Sequence, residues 1–404
     1  MIEKSEVLQL AESLSLSPDT VEKDYVLGWI LHGISQHRDL GNTWLFKGGT
    51  SLKKCFFETF RFSEDLDFTL KNEKHLSVDY LTKVFNEIAD SLQEQTGIEF
   101  SKDKFKFKVR PKESVGISVE GQLHYNGPLR RKQGVASIKL DLTNDEIIVV
   151  KSEEKRIHHP YTDEPTEGLW AHCYAFEEVV AEKIRALAQR ARPRDVYDVV
   201  HFFRNRAMIK NPQLVYNVLV KKCSFKKIAI PTFESIEKHE KINELEQQWS
   251  NMLAHQLPNL PTLDSFWKDL PPFFEWLSST LQEEKVVQFG GSDEVVFQPG
   301  RIVNAYNIDL VLQRIQFAAA NRVCIKLTYK DKHRTIEPLS FRRARNGNRL
   351  FYGHEREENK VKAFTLNKIQ GVEVTNQPYT EKFYPVEISA SGDISMPPIR
   401  RSRR

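Results

Sequence analysis

The first residues whose types and spacing could support a reaction are two glycines and two hydroxyl residues, Gly48, Gly49, Thr50 and Ser51. We expect these glycines to form a turn that opens onto a helix. Such a turn offers a phosphate both backbone N–H groups and the N-terminus of the helix. The residue types therefore predict that Gly48 to Ser51 bind the phosphates of a nucleotide, although a glycine pair alone is also common in ordinary loops.

Two aspartates, Asp65 and Asp67, follow in a segment that is typical of a β-strand. Alternate residues of a strand share a face, so these two carboxylates point together while Leu66 and Phe68 point to the other side. Adjacent carboxylates repel each other unless a cation lies between them. Hard oxygen ligands of this kind suit Mg²⁺, which usually keeps waters and substrate phosphates in its shell. An isolated Asp-x-Asp is more often two solvated aspartates, but a phosphate-binding turn upstream favours nucleotidyl transfer.

The order and spacing of these two motifs resemble the polymerase-β-like nucleotidyltransferase superfamily, and in particular the AbiEii/AbiGii toxin-type family. The resemblance implies an α/β (α+β) polymerase-β-like nucleotidyltransferase core with a helical half, in which helices cover a short mixed sheet. It also implies Mg²⁺, or Mn²⁺ in its place, as the cofactor and an NTP or dNTP as the substrate. Residues 21–25 resemble the helix that opens this family, and we assign them no catalytic role.

A third acidic position lies in residues 136–142, which alternate strictly between apolar and polar side chains. The apolar residues share one face of the predicted strand, so Lys139 and Asp141 share the other. The family resemblance implies that Asp141 completes the metal site with Asp65 and Asp67, or takes a proton from the attacking hydroxyl. The alternative is the ordinary polar face of an antiparallel strand.

The predicted helix from about Phe176 to Arg190 carries a lysine within its apolar stripe. Lys183 lies seven residues after Phe176 and four before Leu187, which is helical spacing. An unpaired ammonium group that faces a core is costly, and the simple alternative is that it extends to the surface. The resemblance implies that Lys183 holds the triphosphate, because family members carry a lysine in a segment similar to Glu182-Lys183.

Residues 190–198 combine several arginines with two aspartates. Pro193 suits the first turn of a new helix, which places Asp195 near an N-terminus that stabilises negative charge. Capping is the ordinary explanation for such an aspartate. The segment also resembles the family's Arg-x-x-Asp-x-x-Asp motif, whose first aspartate is required for activity in that family. By this resemblance Asp195 is a site residue that pairs with Lys183 or a nearby cation, and Asp198 is structural.

The composition of the 404 residues is that of an ordinary globular protein, and a net charge of +4 is too small to predict a polyanionic partner. Basic residues do cluster in residues 183–210 and 400–404, where they could contact nucleic acid or simply be solvated. Four scattered cysteines without a Cys-x-x-Cys pair indicate neither a zinc site nor a disulfide framework. The absence of a signal peptide and of a run of about 18 apolar residues predicts a cytoplasmic protein without membrane contact. No Ser/His/Asp arrangement or Walker-type loop is present.

Changes in composition divide the chain into five predicted segments. Residues 1–225 form the nucleotidyltransferase core, and residues 226–287 form its helical C-terminal portion. Residues 288–302, rich in glycine, are a linker. Residues 303–390 form a WYL-like domain, and residues 391–404 form a basic tail.

The resemblance to a WYL-type domain, a small SH3-like β-barrel, rests on Cys324–Tyr329, Arg334–Leu339 and Phe364–Ile369. The Trp-Tyr-Leu that names this domain is absent. Domains of this type commonly sense nucleotides or single-stranded nucleic acid, and a purely structural or dimerising module is an equal alternative. The resemblance implies these ligand-binding candidates: Arg342, Arg343, Tyr352, Lys362 and Lys368.

These observations predict a Mg²⁺-dependent nucleotidyltransferase of a bacterial toxin–antitoxin or antiphage system, with a cognate antitoxin or effector protein as partner. The acceptor is a tRNA 3′ end, a growing oligonucleotide or a protein hydroxyl. The clustered basic residues and the WYL-like part favour a nucleic acid. Two alternatives remain: a non-enzymatic nucleic-acid-sensing regulator, and a synthase of nucleotide second messengers that joins two free nucleotides.

Overall fold

The chain folds into two compact units. The first contains the described residues up to Ser279, and the second contains those from Val295 on. The computed structural model describes residues 1–57, 60–111, 116–131, 136–279, 295–296, 310–343, 348–380, 387–388 and 394–395.

An eight-stranded mixed sheet organises the first unit, in the order β3-β5-β6-β2-β1-β8-β7, with β4 also paired to β5. The pairs β2–β6 and β1–β8 are parallel, and the other pairs are antiparallel. The strands are β1 (Trp44–Lys47), β2 (Asp65–Leu70), β3 (Glu99–Phe100), β4 (Lys106–Pro111), β5 (Ile117–Asn126), β6 (Ala136–Thr143), β7 (Glu153–Arg156) and β8 (Trp170–Cys173).

The helices of this unit begin where the sequence supplies caps. The hydroxyl of Ser17 accepts a hydrogen bond from the N–H of Thr20, and Pro18 occupies the first turn that follows. The helices are α1 (Lys4–Leu14), α2 (Pro18–Gln36), α3 (Gly48–Ser51), α4 (Val78–Thr96), α5 (Phe176–Arg190), α6 (Pro193–Arg204), α7 (Pro212–Phe225), α8 (Phe233–Glu237), α9 (Ile242–Leu253), α10 (Leu263–Trp267) and α11 (Leu270–Ser279).

The two faces of the sheet differ in chemistry. On one face the apolar residues of β2 and β6, such as Leu66, Phe68 and Leu140, are buried with the inward sides of α2 and α4. Because side chains alternate along a strand, the polar residues between them lie on the opposite face. The core therefore fixes which side of the sheet carries the charged residues.

The second unit is an antiparallel sheet in the order β13-β12-β11-β10-β14, packed on one helix. Val295–Val296, which the sequence analysis placed in a linker, instead form a short strand paired with β11. The rest of residues 288–302 lies outside the described residues, as does the basic tail except for Ile394–Ser395. The elements are β9 (Val295–Val296), α12 (Leu310–Asn321), β10 (Val323–Tyr329), β11 (Lys332–Arg343), β12 (Arg349–Glu355), β13 (Lys360–Thr365), β14 (Ile369–Pro378), β15 (Glu387–Ile388) and β16 (Ile394–Ser395).

Across the described ranges of both units, none of the helices is long and apolar enough to cross a membrane.

Candidate active site

One row of charged side chains crosses four neighbouring strands on the polar face of the first sheet. Lys47 of β1 is directly opposite Asp67 of β2, which is opposite Asp141 of β6. Asp141 is in turn opposite Glu120 of β5. Residues that pair directly across strands share a face and lie close together. Asp67 is therefore held between a lysine on one side and a second aspartate on the other.

The next row contains the remaining predicted carboxylate. Asp65 lies two residues before Asp67 on the same face, opposite Lys139 of β6. The structure thus brings Asp65, Asp67 and Asp141 to one face of the sheet. They differ in environment, since Asp141 is exposed, whereas Asp65 and Asp67 are half-buried.

The electrostatic position of Asp67 is unfavourable in the absence of a bound cation. Burial, followed by repulsion from Asp141, raises the pKa of Asp67 from 3.8 to about 6, although Lys47 and Lys183 act in the opposite direction. Burial would lower the pKa of Lys47, but the carboxylates around it, Glu146 first among them, raise it. This is a site in which added positive charge would be stabilising.

The glycine pair lies directly against these carboxylates. Gly48 follows β1 with φ +80°, and a Cβ at this position would lie 2.0 Å from Oδ2 of Asp67. Only glycine allows both this backbone conformation and this close approach. At Gly49 a Cβ would meet the guanidinium of Arg61 at 2.8 Å. The turn therefore brings the backbone at the start of α3 close to Asp67.

The two hydroxyl residues of the same segment are hydrogen-bonded within the fold. Thr50 donates a hydrogen bond to the carbonyl of Asp65 at 2.5 Å, and Ser51 donates one to the carbonyl of Gly48 at 2.9 Å. Both side chains are buried. These two hydrogen bonds hold the turn against β2.

Lys183 is buried, and it pairs with the second aspartate of residues 190–198. Its Nζ lies 2.7 Å from Oδ2 of Asp198, not beside Asp195. Asp198 also accepts two hydrogen bonds from Arg61, from Nε at 2.7 Å and from Nη2 at 2.8 Å. Burial alone would raise the pKa of Asp198, but Arg61 and Lys183 lower it to about 2. Asp198, predicted to be only structural, is therefore the residue that fixes the position of Lys183.

Asp195 pairs with the nearby cation that the sequence analysis allowed as an alternative. Arg190 donates from Nε to Oδ2 at 2.6 Å and from Nη2 to Oδ1 at 2.7 Å. Asp195 is fully buried, whereas Arg190 remains partly exposed. A bidentate pair of this kind fixes the end of α5 to the start of α6.

Two cations near these carboxylates were not singled out in the sequence: Lys47, which is opposite Asp67, and Arg194, which interacts electrostatically with Asp65. Lys47 could have been found, because it lies directly before the glycine pair. Arg194 is half-buried and makes no ion pair within the described part of the chain, and its Nε lacks a hydrogen-bond partner there. Burial, followed by repulsion from Arg61, lowers the pKa of Arg194, while Asp65 acts to raise it. No spacing signal distinguishes Arg194 from the arginines around it.

A divalent metal is compatible with this set of donors, although the expected cluster of three carboxylates is not preformed. In the described ranges, no group of three or more His, Cys, Asp and Glu side chains is arranged to hold a metal ion. Asp67 and Asp141 are nevertheless adjacent, and their mutual repulsion is what a cation would relieve. Mg²⁺ is usually bound by one or two carboxylates plus waters and substrate phosphates, so this pair fits it.

The ligand candidates of the second unit lie in different local environments. The guanidinium of Arg342 lies 5.7 Å from the ring centre of the buried Tyr352. Lys362 is engaged by Glu355, and also by Glu358 at 2.8 Å. Lys368 is exposed on the turn after β13. The side chain of the fifth candidate, at position 343, lies outside the described residues.

Comparison with known proteins places these observations in a family. The family model described as nucleotidyl transferase AbiEii toxin of a type IV toxin–antitoxin system matches residues 29–279. Among solved structures, MenT4, a nucleotidyltransferase toxin from Mycobacterium tuberculosis H37Rv, is 21% identical, with a TM-score of 0.48 over 69% of this chain and 90% of its own. JHP933 from Helicobacter pylori is 16% identical, with a TM-score of 0.42 over 66% of this chain and 94% of its own. No curated protein matches the chain.

Proposed function

Because the chain belongs to the AbiEii family of nucleotidyltransferase toxins, we propose that it transfers a nucleotide from an NTP or dNTP to a hydroxyl group of a nucleic acid, such as a tRNA 3′ end. The row formed by Lys47, Asp67 and Asp141 beside Gly48 is the observation that carries this proposal. It combines paired carboxylates, cations and a glycine turn on one face of a sheet.

The nucleotide occupies the side of the row nearest β1. There the backbone N–H groups after Gly48 bind phosphate oxygens, and Lys47 and Lys183 neutralise the negative charge of the triphosphate. Asp198 keeps Lys183 oriented toward the site. Arg194, which has no ion-pair partner among the described residues, is a further phosphate ligand.

The acceptor occupies the opposite side, where Asp141 is exposed. Asp141 accepts the proton of the attacking hydroxyl, which a carboxylate within hydrogen-bonding distance of that hydroxyl can do. Asp65 and Asp67 would hold the divalent ion, and Asp141 would be a further ligand. When bound, this ion supplies positive charge that stabilises the leaving pyrophosphate.

Family membership also supports a role in a toxin–antitoxin system. We propose that the protein acts in the cytoplasm as the toxin of a toxin–antitoxin pair, with a cognate antitoxin as partner and antiphage defence as its setting. Residues 1–287 act as the transferase, and the second unit is a WYL-type module. Family membership argues against the alternative of a non-enzymatic regulator. A second-messenger synthase would use the same row on two free nucleotides.

The decisive experiment incubates the protein with each α-³²P-labelled NTP and dNTP, Mg²⁺ and total bacterial RNA. Label in a tRNA band that is lost in Asp67→Asn would support the proposal and identify the nucleotide. Label in soluble oligonucleotides would favour the second-messenger synthase, and label on protein would move the acceptor to a protein hydroxyl. No metal-dependent incorporation into any fraction would refute nucleotidyl transfer by this site.

A further inference from the structure

A regular line of cations lies on the edge strand β4, outside the site described so far. Lys106, Lys108 and Arg110 occupy every second position of the strand and are exposed. Between them Phe107 packs inward, with its ring 5.6 Å from that of Phe85 on α4. The alternation therefore directs all three cations to the face of the sheet opposite the core. We call Lys106, Lys108 and Arg110 the β4 basic stripe.

Strand register places the β4 basic stripe on the same face as the catalytic carboxylates. Lys108 is opposite Glu120 on β5, which continues across the sheet to Asp141 and then Asp67. Lys108 is thus three strand spacings of about 4.8 Å, or about 14 Å, from Asp67 between backbone positions. It lies on the Asp141 side of the row, where the acceptor is proposed to enter.

A second row of residues paired across the strands places positive charge between the stripe and the site. Lys106 is opposite Gln122, which is opposite Lys139, and Lys139 is opposite Asp65. Lys139 is exposed on the same face as Lys106. Cations are therefore present at the outer edge of the sheet and again beside the carboxylates.

The charges of this surface are available to a ligand. Lys106, Lys108 and Lys139 form no ion pair with any of the residues that the structure describes. Arg110 contacts Glu120 at 2.6 Å, but both side chains are about half exposed, and such surface pairs stabilise little. Lysines on an edge strand can also serve only to prevent aggregation. That simpler role does not require that they share a face with an active site.

We propose that the β4 basic stripe, together with Lys139, binds the phosphates of the nucleic-acid acceptor and guides its reactive end to Asp141. This inference rests on the proposed function. Side chains two residues apart on a strand are spaced by about 6.7 Å, so each can contact a separate phosphate of one strand. A site with three carboxylates on its face repels a polyanion, and cations along the approach offset that repulsion. An acidic protein partner could bind these cations without their lying on the same face as Asp141, so this shared face favours a nucleic-acid acceptor.

The test measures binding of fluorescent tRNA as a function of salt, and transfer of label to that tRNA, for the full chain and for Lys106→Gln/Lys108→Gln. A matched control, Lys74→Gln/Lys83→Gln, removes two exposed lysines outside the polar face of the sheet. We expect the stripe variant to bind tRNA about tenfold more weakly, with a salt slope smaller by about 1.5, because each phosphate contact contributes a slope of about 0.7–0.9. Its kcat at saturating tRNA and its KM for the nucleotide should match those of the unaltered protein, and the control should change neither.

The outcomes separate this inference from the proposed function. Unchanged tRNA affinity and salt slope in the stripe variant would overturn the inference even if the unaltered protein labels tRNA. Self-association of the variant with unchanged tRNA binding would assign the lysines to protection of the edge strand. Weaker binding of polyglutamate without weaker binding of tRNA would assign the stripe to an acidic protein. Reduced tRNA binding without label transfer by any variant would uphold the surface and refute the transfer reaction.

Discussion

Replacing Asp67 with asparagine should stabilise the metal-free protein at alkaline pH, although it should abolish activity. In the folded protein the pKa of Asp67 is about 6 instead of 3.8, because the ionised carboxyl is partly buried beside Asp141. Above pH 6 this carboxylate is charged in both the folded and the unfolded chain, and its charge destabilises the folded state. Below that pH the folded protein takes up a proton, so the destabilisation decreases and is absent below pH 4.

The size of the effect follows from the same values. The change from 3.8 to about 6 corresponds to about 3 kcal/mol, at 1.36 kcal/mol for each pKa unit. Asp67 is half-buried and screened in part by water, so we expect a gain of about 1–2 kcal/mol in the free energy of unfolding at pH 8. The gain should shrink between pH 6 and pH 4.

Urea unfolding of both proteins in EDTA at pH 4.5 and pH 8 measures this gain. Asp65→Asn is the matched control, because Asp65 lies opposite Lys139 and not opposite another carboxylate. It should not give a comparable gain. Adding Mg²⁺ should stabilise the unaltered protein and leave Asp67→Asn unchanged. The reasoning fails if Asp67→Asn is destabilising at pH 8, or if its effect is the same at both pH values.

Three further changes test the positions of other site residues. Gly48→Ala should lower kcat by about 100-fold, since its Cβ would displace Asp67. Gly97→Ala is the control, because Gly97 has a similar φ but its Cβ would meet only Met1, at an ordinary contact distance of 3.9 Å. It should lose some stability and no activity, and equal kcat values for the two variants would contradict this. Asp198→Ala should lower the free energy of unfolding in urea by about 3–5 kcal/mol, because it leaves two buried cations without their shared partner. A decrease below about 1 kcal/mol would show that this pairing is not needed for stability. Arg194→Ala should raise the KM for the nucleotide about tenfold or more with little change in the Tm, since it removes a charged phosphate donor that forms no ion pair with the described residues. The exposed Arg192→Ala should behave like the unaltered protein, and an unchanged KM in Arg194→Ala would exclude Arg194 from the site.

Local pattern was sufficient for much of the site. The alternation of residues 136–142 placed Lys139 and Asp141 on one polar face, because the apolar residues between them must be buried. The same argument oriented Asp65 and Asp67. Helical spacing placed Lys183 within the apolar stripe of its helix, and in the structure this lysine is buried. These conclusions depend only on the period of a strand or helix, which is a property of neighbouring residues.

Local periodicity could not predict which residues of distant segments pair with each other. From the sequence, Asp195 was expected to pair with Lys183 or a nearby cation, and Asp198 to be structural. The fold pairs Asp195 with Arg190, and Lys183 with Asp198. Both aspartates lie near the start of one helix, so the outcome depends on how α5 and α6 pack and on where Arg61 enters from the segment before β2.

The sequence alone therefore determined which residues face the polar side of each element, since burial of their apolar neighbours leaves no other choice. Only the tertiary structure decided which elements are adjacent, and this set Lys47 opposite Asp67, Asp67 opposite Asp141, and the β4 basic stripe on the same face. The alternating cations of β4 are visible in the sequence, but their relation to the carboxylates is not. The physical reason is that strand order and register are fixed by contacts between residues far apart in the chain, which no local periodicity encodes.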